Sequence, residues 1–212
     1  MARPDTKEIE LISQFRENVS DLNLEVKFNT DHFLARWIRA RQHNLELAEK
    51  MLREHMKWRE ENDIENILSW TPPELFLKAM PIKFLGYDDD NSPVYLAPMG
   101  KLDLKHIVEI GEGNNYLKYL DKFLTVALNK MEGKFTPEGY PVTQLITILD
   151  QKGITYRSMA SLGAIDLTMQ LARRLEANYP EIAKTIFEIN CEITKAKICS
   201  YDVIIQCSVD NL

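Results

Sequence analysis

The fold is decided by residues 142–190, which read VTQLITILDQKGITYRSMASLGAIDLTMQLARRLEANYPEIAKTIFEIN. Residues 142–149 are rich in apolar and β-branched side chains, which predicts a buried strand. Residues 158–177 place apolar side chains at helical spacing, and residues 185–190 form a second strand-like run. A strand, a helix and a strand in this order predict a βαβ unit with parallel strands and a right-handed crossover.

The N-terminal part of the chain has a different pattern, in which apolar residues recur at helical spacing. Asn29 or Thr30 can cap a second helix, and Asn44 can cap a third. Thr71 followed by Pro72 predicts the start of a fourth, with the proline at the first helical position. This part of the chain is therefore predicted to be all-helical.

Between these two regions the pattern changes from helical to mixed. Residues 82–85 and 94–97 are short strand candidates on either side of a turn rich in Asp, Asn, Ser and Pro. A short helix is predicted near residues 103–110, and a long amphipathic helix over residues 116–131. The chain is thus predicted to have an α/β fold.

Composition limits the classes of function. The chain has 212 residues, of which 45% are hydrophobic and 27% charged, and these fractions are typical of a globular protein. Its net charge of −6 argues against a nucleic-acid binder, which needs a basic surface. No secretory signal and no run of about 18 apolar residues is present. The cysteines Cys191, Cys199 and Cys207 cannot all pair with one another, which favours free thiols and a cytoplasmic location.

Motifs for catalysis and for metal or nucleotide binding are incomplete. Residues 111–113 contain two glycines, but no strand leads into them, so a phosphate cradle is not expected. Asp88 and Asp90 have the spacing of the first EF-hand ligands, but Pro93 replaces the required glycine, which favours a solvated turn. No nucleophile is paired with a base. We therefore expect no catalytic residue, no metal site, no cofactor and no enzymatic activity.

Two single residues each allow two interpretations. Asp150 follows the predicted strand 142–149, where α/β proteins often place functional groups, but an acid at a strand end is also an ordinary turn residue. His55 lies on the apolar stripe of the third predicted helix, either packed in the core or at a domain seam.

Several stretches together resemble the CRAL-TRIO family, in family order over residues 8–190. They are FLARWIRAR at 33–41, AEKML at 48–52, MKWR at 56–59, the hairpin at 86–95, LDQKGI at 149–154 and NYPE at 178–181. Residues 64–67, with Trp70 and the Pro-Pro-Glu at 72–74, resemble the animal group that contains supernatant protein factor, also called tocopherol-associated protein.

The resemblance implies a helical N-terminal module followed by a mixed, mainly parallel sheet with flanking helices. It implies binding and intermembrane transfer of a hydrophobic ligand in a closed apolar cavity with a gate helix. Phosphoinositides and other phospholipids, tocopherol and squalene-like lipids are the ligand classes, with transient contact to membrane surfaces. By position, Tyr95, Phe123 and Thr155 are candidate neighbours of the cavity. Tyr95 and Phe123 are equally compatible with ordinary core, and Thr155 with a plain turn.

The chain departs from the family pattern after Asn190, where a family turn, the gate helix and part of the pocket floor are expected. We expect a helical module over residues 1–75, a partial lipid-binding domain over 76–190 and a divergent tail over 191–212. Residues 203–205 could add a short strand. The alternative function is therefore that of a truncated variant unable to enclose a lipid, which acts as an interaction module or has no stable function.

Overall fold

The computed structural model describes residues 3–159, 161–190 and 203–206. It has the predicted α/β class, with helices and a mixed sheet. Two compact units divide the chain: Met1–Glu65 with Arg174–Glu181 form the first, and Asn66–Arg173 with the chain from Ile182 onward form the second. The domain boundaries expected from the sequence stay predictions.

The first unit is helical, as the sequence predicts. Its helices are α1 (Thr6–Asn18), α2 (Asp31–Ala40) and α3 (Leu45–Glu61), joined by short 3-10 turns at Ser20–Leu22 and Val26–Phe28. Two predicted caps are confirmed. Thr30 Oγ1 accepts from the Phe33 amide at 3.2 Å, and Asn44 Oδ1 accepts from the Leu47 amide at 3.0 Å.

Apolar side chains of all three helices form the core of this unit, including the fully buried Phe15, Leu34, Trp37 and Leu52. His55 is buried as well, and its ring lies 4.7 Å from the ring of Trp37. The interpretation of His55 as a packed core residue is therefore confirmed.

The second unit contains the sheet. Its elements are α4 (Glu74–Ala79), β1 (Lys83–Tyr87), β2 (Pro93–Pro98), α5 (Leu104–Glu109), α6 (Gly113–Met131), β3 (Leu145–Asp150), α7 (Tyr156–Met159), α8 (Leu162–Asn178), β4 (Ala183–Ile189) and β5 (Val203–Gln206). The last turn of α8 belongs to the first unit.

The strands form one sheet in the order β1-β2-β3-β4-β5. β1 and β2 are an antiparallel hairpin, whereas β2, β3, β4 and β5 are parallel neighbours. The parallel pair β3 and β4 confirms the predicted βαβ unit, and β5 confirms the short strand predicted at residues 203–205. All three cysteines lie outside the described residues.

Several predicted boundaries differ from the structure. The helix predicted over residues 158–177 is divided between α7, which ends at Met159, and α8, which begins at Leu162. Two other differences have a local cause. The fourth helix begins at Glu74, and its N-terminal flanking residue Pro73 makes no side-chain cap. The reason is that Pro72 precedes another proline, which disfavours the helical conformation at Pro72. The central strand begins at Leu145 and not at Val142, because the Val142 amide donates to the carbonyl of Lys134 at 2.9 Å.

Candidate functional site

The two faces of the sheet differ in what covers them. Along β2, Tyr95 and Ala97 are buried, whereas Val94 and Leu96 are half-buried. Successive side chains of a strand point to opposite faces, so the buried pair marks one face. Ala97 of β2 and its neighbour Leu149 of β3 pack in one apolar core with side chains of α5, α6 and α8. We call this side of the sheet the helix-covered face.

The opposite side is apolar on all three central strands. The parallel register places Leu96 beside Ile148, and Ile148 beside Phe187. Every apolar side chain in these rows is half-buried, so part of its surface stays accessible. We call this surface the apolar sheet face; its members are Val94, Leu96, Ile146, Ile148, Phe187 and Ile189.

The chemistry of the apolar sheet face suits hydrocarbon. A polar side chain, Thr185, shares the row of Val94 and Ile146, and Asp150 stands at the carboxyl end of β3. Burial of a methylene group contributes about 0.8 kcal/mol, so an acyl chain laid across these strands would be held by many small contributions. Pockets for apolar ligands commonly combine such a surface with a few polar groups that fix orientation.

Two of the three predicted cavity residues lie together. The rings of Tyr95 and Phe123 are 4.9 Å apart and nearly perpendicular, at 87°. Tyr95 is buried on the helix-covered face, and α6 contributes Phe123. The Tyr95 hydroxyl has no hydrogen-bond partner among the described residues, and burial raises the pKa of Tyr95 to about 12. The assignment of both residues to a ligand cavity stays a prediction.

The third candidate, Thr155, lies in the exposed turn that precedes α7. Its Oγ1 accepts from the Ser158 amide at 3.2 Å, and its carbonyl oxygen accepts from the Ser158 hydroxyl at 2.8 Å. These bonds are those of a residue that begins a helical turn. Its proposed role beside a ligand is untested.

The acidic hairpin turn is held by a lysine. Lys184 Nζ lies 2.5 Å from Asp88 Oδ2 and 2.6 Å from Asp90 Oδ2. Burial raises the pKa of Asp88, but the hydrogen bond and charge of Lys184 and the hydrogen bonds from the backbone of Ser92 and Asp90 together outweigh burial, so the pKa is lowered. Asp88 also accepts from the amides of Asp90 and Ser92, as a turn residue does. Within the described residues, no three His, Cys, Asp or Glu side chains could hold a metal ion together.

The Asp150 side chain, at the end of β3, makes two hydrogen bonds within the protein. Its Oδ1 accepts from the Lys152 amide at 3.0 Å and from Asn190 Nδ2 at 2.8 Å. The side chain thus links the turn after β3 to the residue that follows β4, in agreement with the turn interpretation.

The residues of the apolar sheet face were not singled out from the sequence, although a signal for them existed. Residues 142–149 were predicted as a richly apolar strand, and a strand apolar on both faces needs cover on both faces. Which residues share a face depends on the register with β2 and β4, and a single strand does not contain that information.

Comparison with known proteins identifies related sequences. A family model described as the CRAL/TRIO domain matches residues 78–193. This range includes all six members of the apolar sheet face.

Two curated relatives match most of the chain. Protein real-time of Aedes aegypti is 28% identical over 169 residues, which cover 79% of this chain and 26% of that protein. The phosphatidylinositol/phosphatidylcholine transfer protein SFH4 of Arabidopsis thaliana is 29% identical over 194 residues, which cover 88% of this chain and 31% of that protein. The chain therefore spans less than a third of the length of either relative.

Among solved structures, the crystal structure of Sfh5 superposes with a TM-score of 0.70 at 13% identity. The match covers 90% of this chain and 73% of that one, which shows a shared fold. No helix in the described part of the chain is long and apolar enough to cross a bilayer.

Proposed function

The chain belongs to the CRAL/TRIO domain family, and on that premise we propose that it binds a hydrophobic lipid and transfers it between membranes. The observation that carries the proposal is the apolar sheet face, where three parallel strands present six half-buried apolar side chains. A carrier needs such a surface because the ligand must exchange a bilayer for a protein environment of similar polarity.

We propose a phospholipid as the ligand class, with tocopherol and squalene-like lipids as the alternatives. SFH4 is named for the transfer of phosphatidylinositol and phosphatidylcholine, which supports this order. The proposed setting is the cytoplasm, with peripheral and transient contact to membranes. The proposed mechanism is binding and release, with no chemical step on the ligand.

Tyr95, Phe123 and Thr155 stay proposed neighbours of the ligand. Tyr95 and Phe123 lie on the helix-covered face and not on the apolar sheet face, so they would contact only a part of the ligand that enters between the sheet and α6. The buried hydroxyl of Tyr95 lacks a hydrogen-bond partner among the described residues, so a polar group of a bound lipid could supply one. Phe123 would contribute ring surface beside it. Thr155 would act from the turn that precedes α7.

Native mass spectrometry tests the proposal. The chain is incubated with vesicles that contain phosphatidylcholine, phosphatidylinositol, tocopherol and squalene, and is then separated from them. We expect a discrete adduct of one phospholipid. A bare protein mass after exposure to all four lipids contradicts the proposal.

A double variant and a control test whether the lipid binds at the apolar sheet face. Leu96→Ser with Ile148→Ser makes two adjacent positions of this face polar, and we expect the adduct to fall at least tenfold. Leu77→Ser is the control, since Leu77 is an exposed apolar residue of α4 outside the sheet. Circular dichroism confirms that each variant is folded, and an unchanged adduct in the folded double variant argues against this surface.

A further inference from the structure

Exposed aromatic side chains are concentrated on one part of the second unit. Among all Phe, Tyr and Trp side chains that the structure describes, the exposed ones are Phe84, Tyr87 and Phe135. Their exposed fractions are 39%, 39% and 53%, and Leu85 beside them is 54% exposed. Aromatic rings are costly to leave in water in a group, so a cluster of this kind marks an interaction surface.

These residues belong to the edge strand β1 and to the loop after α6, which is tied to the β1–β2 hairpin. The rings of Phe84 and Tyr87 are 5.1 Å apart in an edge-to-face arrangement. The loop after α6 is tied to the hairpin because Asn91 Nδ2 donates to the Phe135 carbonyl at 2.8 Å. Phe135 therefore lies next to the hairpin turn that follows β1.

Two lysines of the same region lie over these rings. Lys130 Nζ is 4.3 Å from the centre of the Phe84 ring, and Lys134 Nζ is 4.3 Å from the centre of the Tyr87 ring. We call this surface the aromatic–lysine surface and define it by Phe84, Leu85, Tyr87, Lys130, Lys134 and Phe135.

The edge strand is shaped to present its side chains outward. The register of β1 against β2 shifts between Phe84 and Gly86, so Leu85 is the extra residue of a β-bulge. A bulge bends the strand and redirects its side chains, and it also prevents another strand from adding to the edge. Leu85 therefore stays available for a contact of another kind.

The charges at this surface are unequally compensated. Asp88 and Asp90 of the hairpin are both held by Lys184, at 2.5 and 2.6 Å. Lys130 and Lys134 have no carboxylate within ion-pair distance among the described residues, so their charge is available to an external anion.

Acidic side chains are present nearby. Asp89 and Glu132 are exposed in the two loops that flank the surface. The surface is therefore not uniformly basic, and apolar contact should contribute to binding together with the two lysines. This combination differs from that of a nucleic-acid site, which relies on an excess of positive charge.

We propose that the aromatic–lysine surface docks the protein on a phospholipid membrane that contains anionic headgroups. Aromatic rings and lysines with long apolar stems are the residues that occupy the membrane–water interface. The exposed rings and Leu85 would lie at headgroup level, and the two ammonium groups would face headgroup phosphates. This inference rests on the proposed function, because transfer requires the carrier to reach donor and acceptor membranes.

Vesicle flotation tests the proposal on the full chain. Vesicles of phosphatidylcholine are compared with vesicles of phosphatidylcholine mixed with phosphatidylserine, at low and at high salt. We expect stronger binding to the mixed vesicles and a loss of that difference at high salt. Lys130→Gln with Lys134→Gln should weaken binding to mixed vesicles by about fivefold per lysine. Leu85→Ser with Phe135→Ser should weaken binding to both kinds of vesicle.

Matched controls use similar residues elsewhere in the second unit. Leu77 and Ile110 are 46% and 47% exposed, and Lys78 and Lys105 are surface lysines of α4 and α5. Leu77→Ser with Ile110→Ser, and Lys78→Gln with Lys105→Gln, should bind vesicles as the unchanged chain does. Equal losses in control and test variants, or no binding of the unchanged chain, overturn the proposal.

Two further measurements distinguish membrane docking from a failure of ligand binding and from dimerisation through the same surface. Native mass spectrometry of the flotation variants shows whether they still acquire lipid, so a docking failure is distinct from a failure of ligand binding. Analytical ultracentrifugation detects a second copy as the occupant. If the unchanged chain is a dimer and the double variant Leu85→Ser with Phe135→Ser is a monomer, the proposal of membrane docking is overturned.

Discussion

His55 and Asn178 are hydrogen-bonded in the interior of the first unit, although 123 positions separate them in the sequence: His55 Nδ1 lies 3.1 Å from Asn178 Oδ1. The amide nitrogen of Asn178 donates to the Arg174 carbonyl at 3.1 Å, so Oδ1 faces the imidazole. His55 is therefore the donor at Nδ1. The bond joins the NYPE segment at residues 178–181 to helix α3 of the same unit.

Stability should fall when His55 must become charged. Burial lowers the pKa of His55 to about 4, from an ordinary value of 6.5. The charges of Arg59 and Arg36 act in the same direction, whereas Asn178 and Glu65 oppose it. The unfolded chain then binds a proton that the folded chain does not, so stability present above about pH 6.5 is lost as the pH falls. We expect a loss of about 2 kcal/mol between pH 7 and about pH 5, measured by urea unfolding.

His55→Phe isolates this effect. The variant should be less stable than the unchanged chain near pH 7, because it leaves Asn178 Oδ1 without its donor. It should lose much less stability on acidification, since the titrating group is gone. His106→Gln is the control, because His106 is exposed on α5. An unchanged pH slope in His55→Phe would contradict the assignment.

Glu8 should stabilise the first unit through Arg39. Arg39 donates to both oxygens of Glu8, at 2.7 and 2.6 Å, and Glu8 Oε1 also lies 3.0 Å from His43 Nε2. The hydrogen bond from Arg39 is the main cause that lowers the pKa of Glu8 to about 2. Stability from a carboxyl group with a depressed pKa is present above about pH 4.5 and is lost as the pH falls toward 2.

Glu8→Gln should therefore cost about 1–2 kcal/mol near pH 7, and the cost should shrink below about pH 4. Glu10→Gln is the control, since Glu10 is an exposed residue of the same helix. Urea unfolding of both variants, near pH 7 and below about pH 4, measures the free energy of unfolding relative to the unchanged chain. A cost that is the same at both pH values would mean that the charge of Glu8 is not responsible.

Much of the fold could be predicted because its signals are local. The βαβ unit follows from two apolar runs around a helical pattern, and Thr30 and Asn44 cap helices through bonds to amides three positions away. The prediction that Thr71 caps the fourth helix was wrong because Pro73 disfavours the helical conformation at Pro72. Preferences of single residue types for helix positions do not contain this effect of one residue on its neighbour.

The candidate site could be predicted only in part, because its contacts are non-local. The family resemblance, and not residue spacing, indicated Tyr95 and Phe123 as candidate neighbours of the cavity, and the contact between their rings was found only in the structure. The row formed by Leu96, Ile148 and Phe187 exists only through strand register. The pairing of Lys184 with Asp88 joins residues 96 positions apart, and no pattern within either segment indicates it.

Gly100, which follows β2, should tolerate no side chain because the turn after β3 approaches it closely. An added Cβ would overlap the carbonyl oxygen of Lys152, a backbone atom that a rotamer change cannot move. Gly100→Ala should therefore lower the free energy of unfolding by at least about 2 kcal/mol. Gly113→Ala is the control. Its Cβ would meet Leu167 at an ordinary 3.5 Å, and alanine is favoured over glycine in a helix by up to about 1 kcal/mol. A mild effect of Gly100→Ala in thermal unfolding would contradict the close approach.

A comparison of Tyr95 with Tyr119, both in the second unit, measures the energetic effect of the buried Tyr95 hydroxyl. Tyr119 donates its hydroxyl to the Met80 carbonyl at 2.8 Å, whereas the Tyr95 hydroxyl is buried without a partner among the described residues. Both rings are buried, so Tyr→Phe removes one oxygen from a similar environment in each case. Tyr119→Phe should lower stability by about 1 kcal/mol, because the carbonyl of Met80 loses its donor.

Tyr95→Phe should leave the stability of the lipid-free chain unchanged or raise it by up to about 1 kcal/mol, since it removes a polar group that is desolvated without compensation. If a bound lipid supplies the missing partner, the same substitution should reduce retention of phospholipid severalfold in native mass spectrometry, while Tyr119→Phe should not. A clear loss of stability in lipid-free Tyr95→Phe would mean that the hydroxyl already has a partner, and the proposed contact of Tyr95 with the ligand would then be wrong.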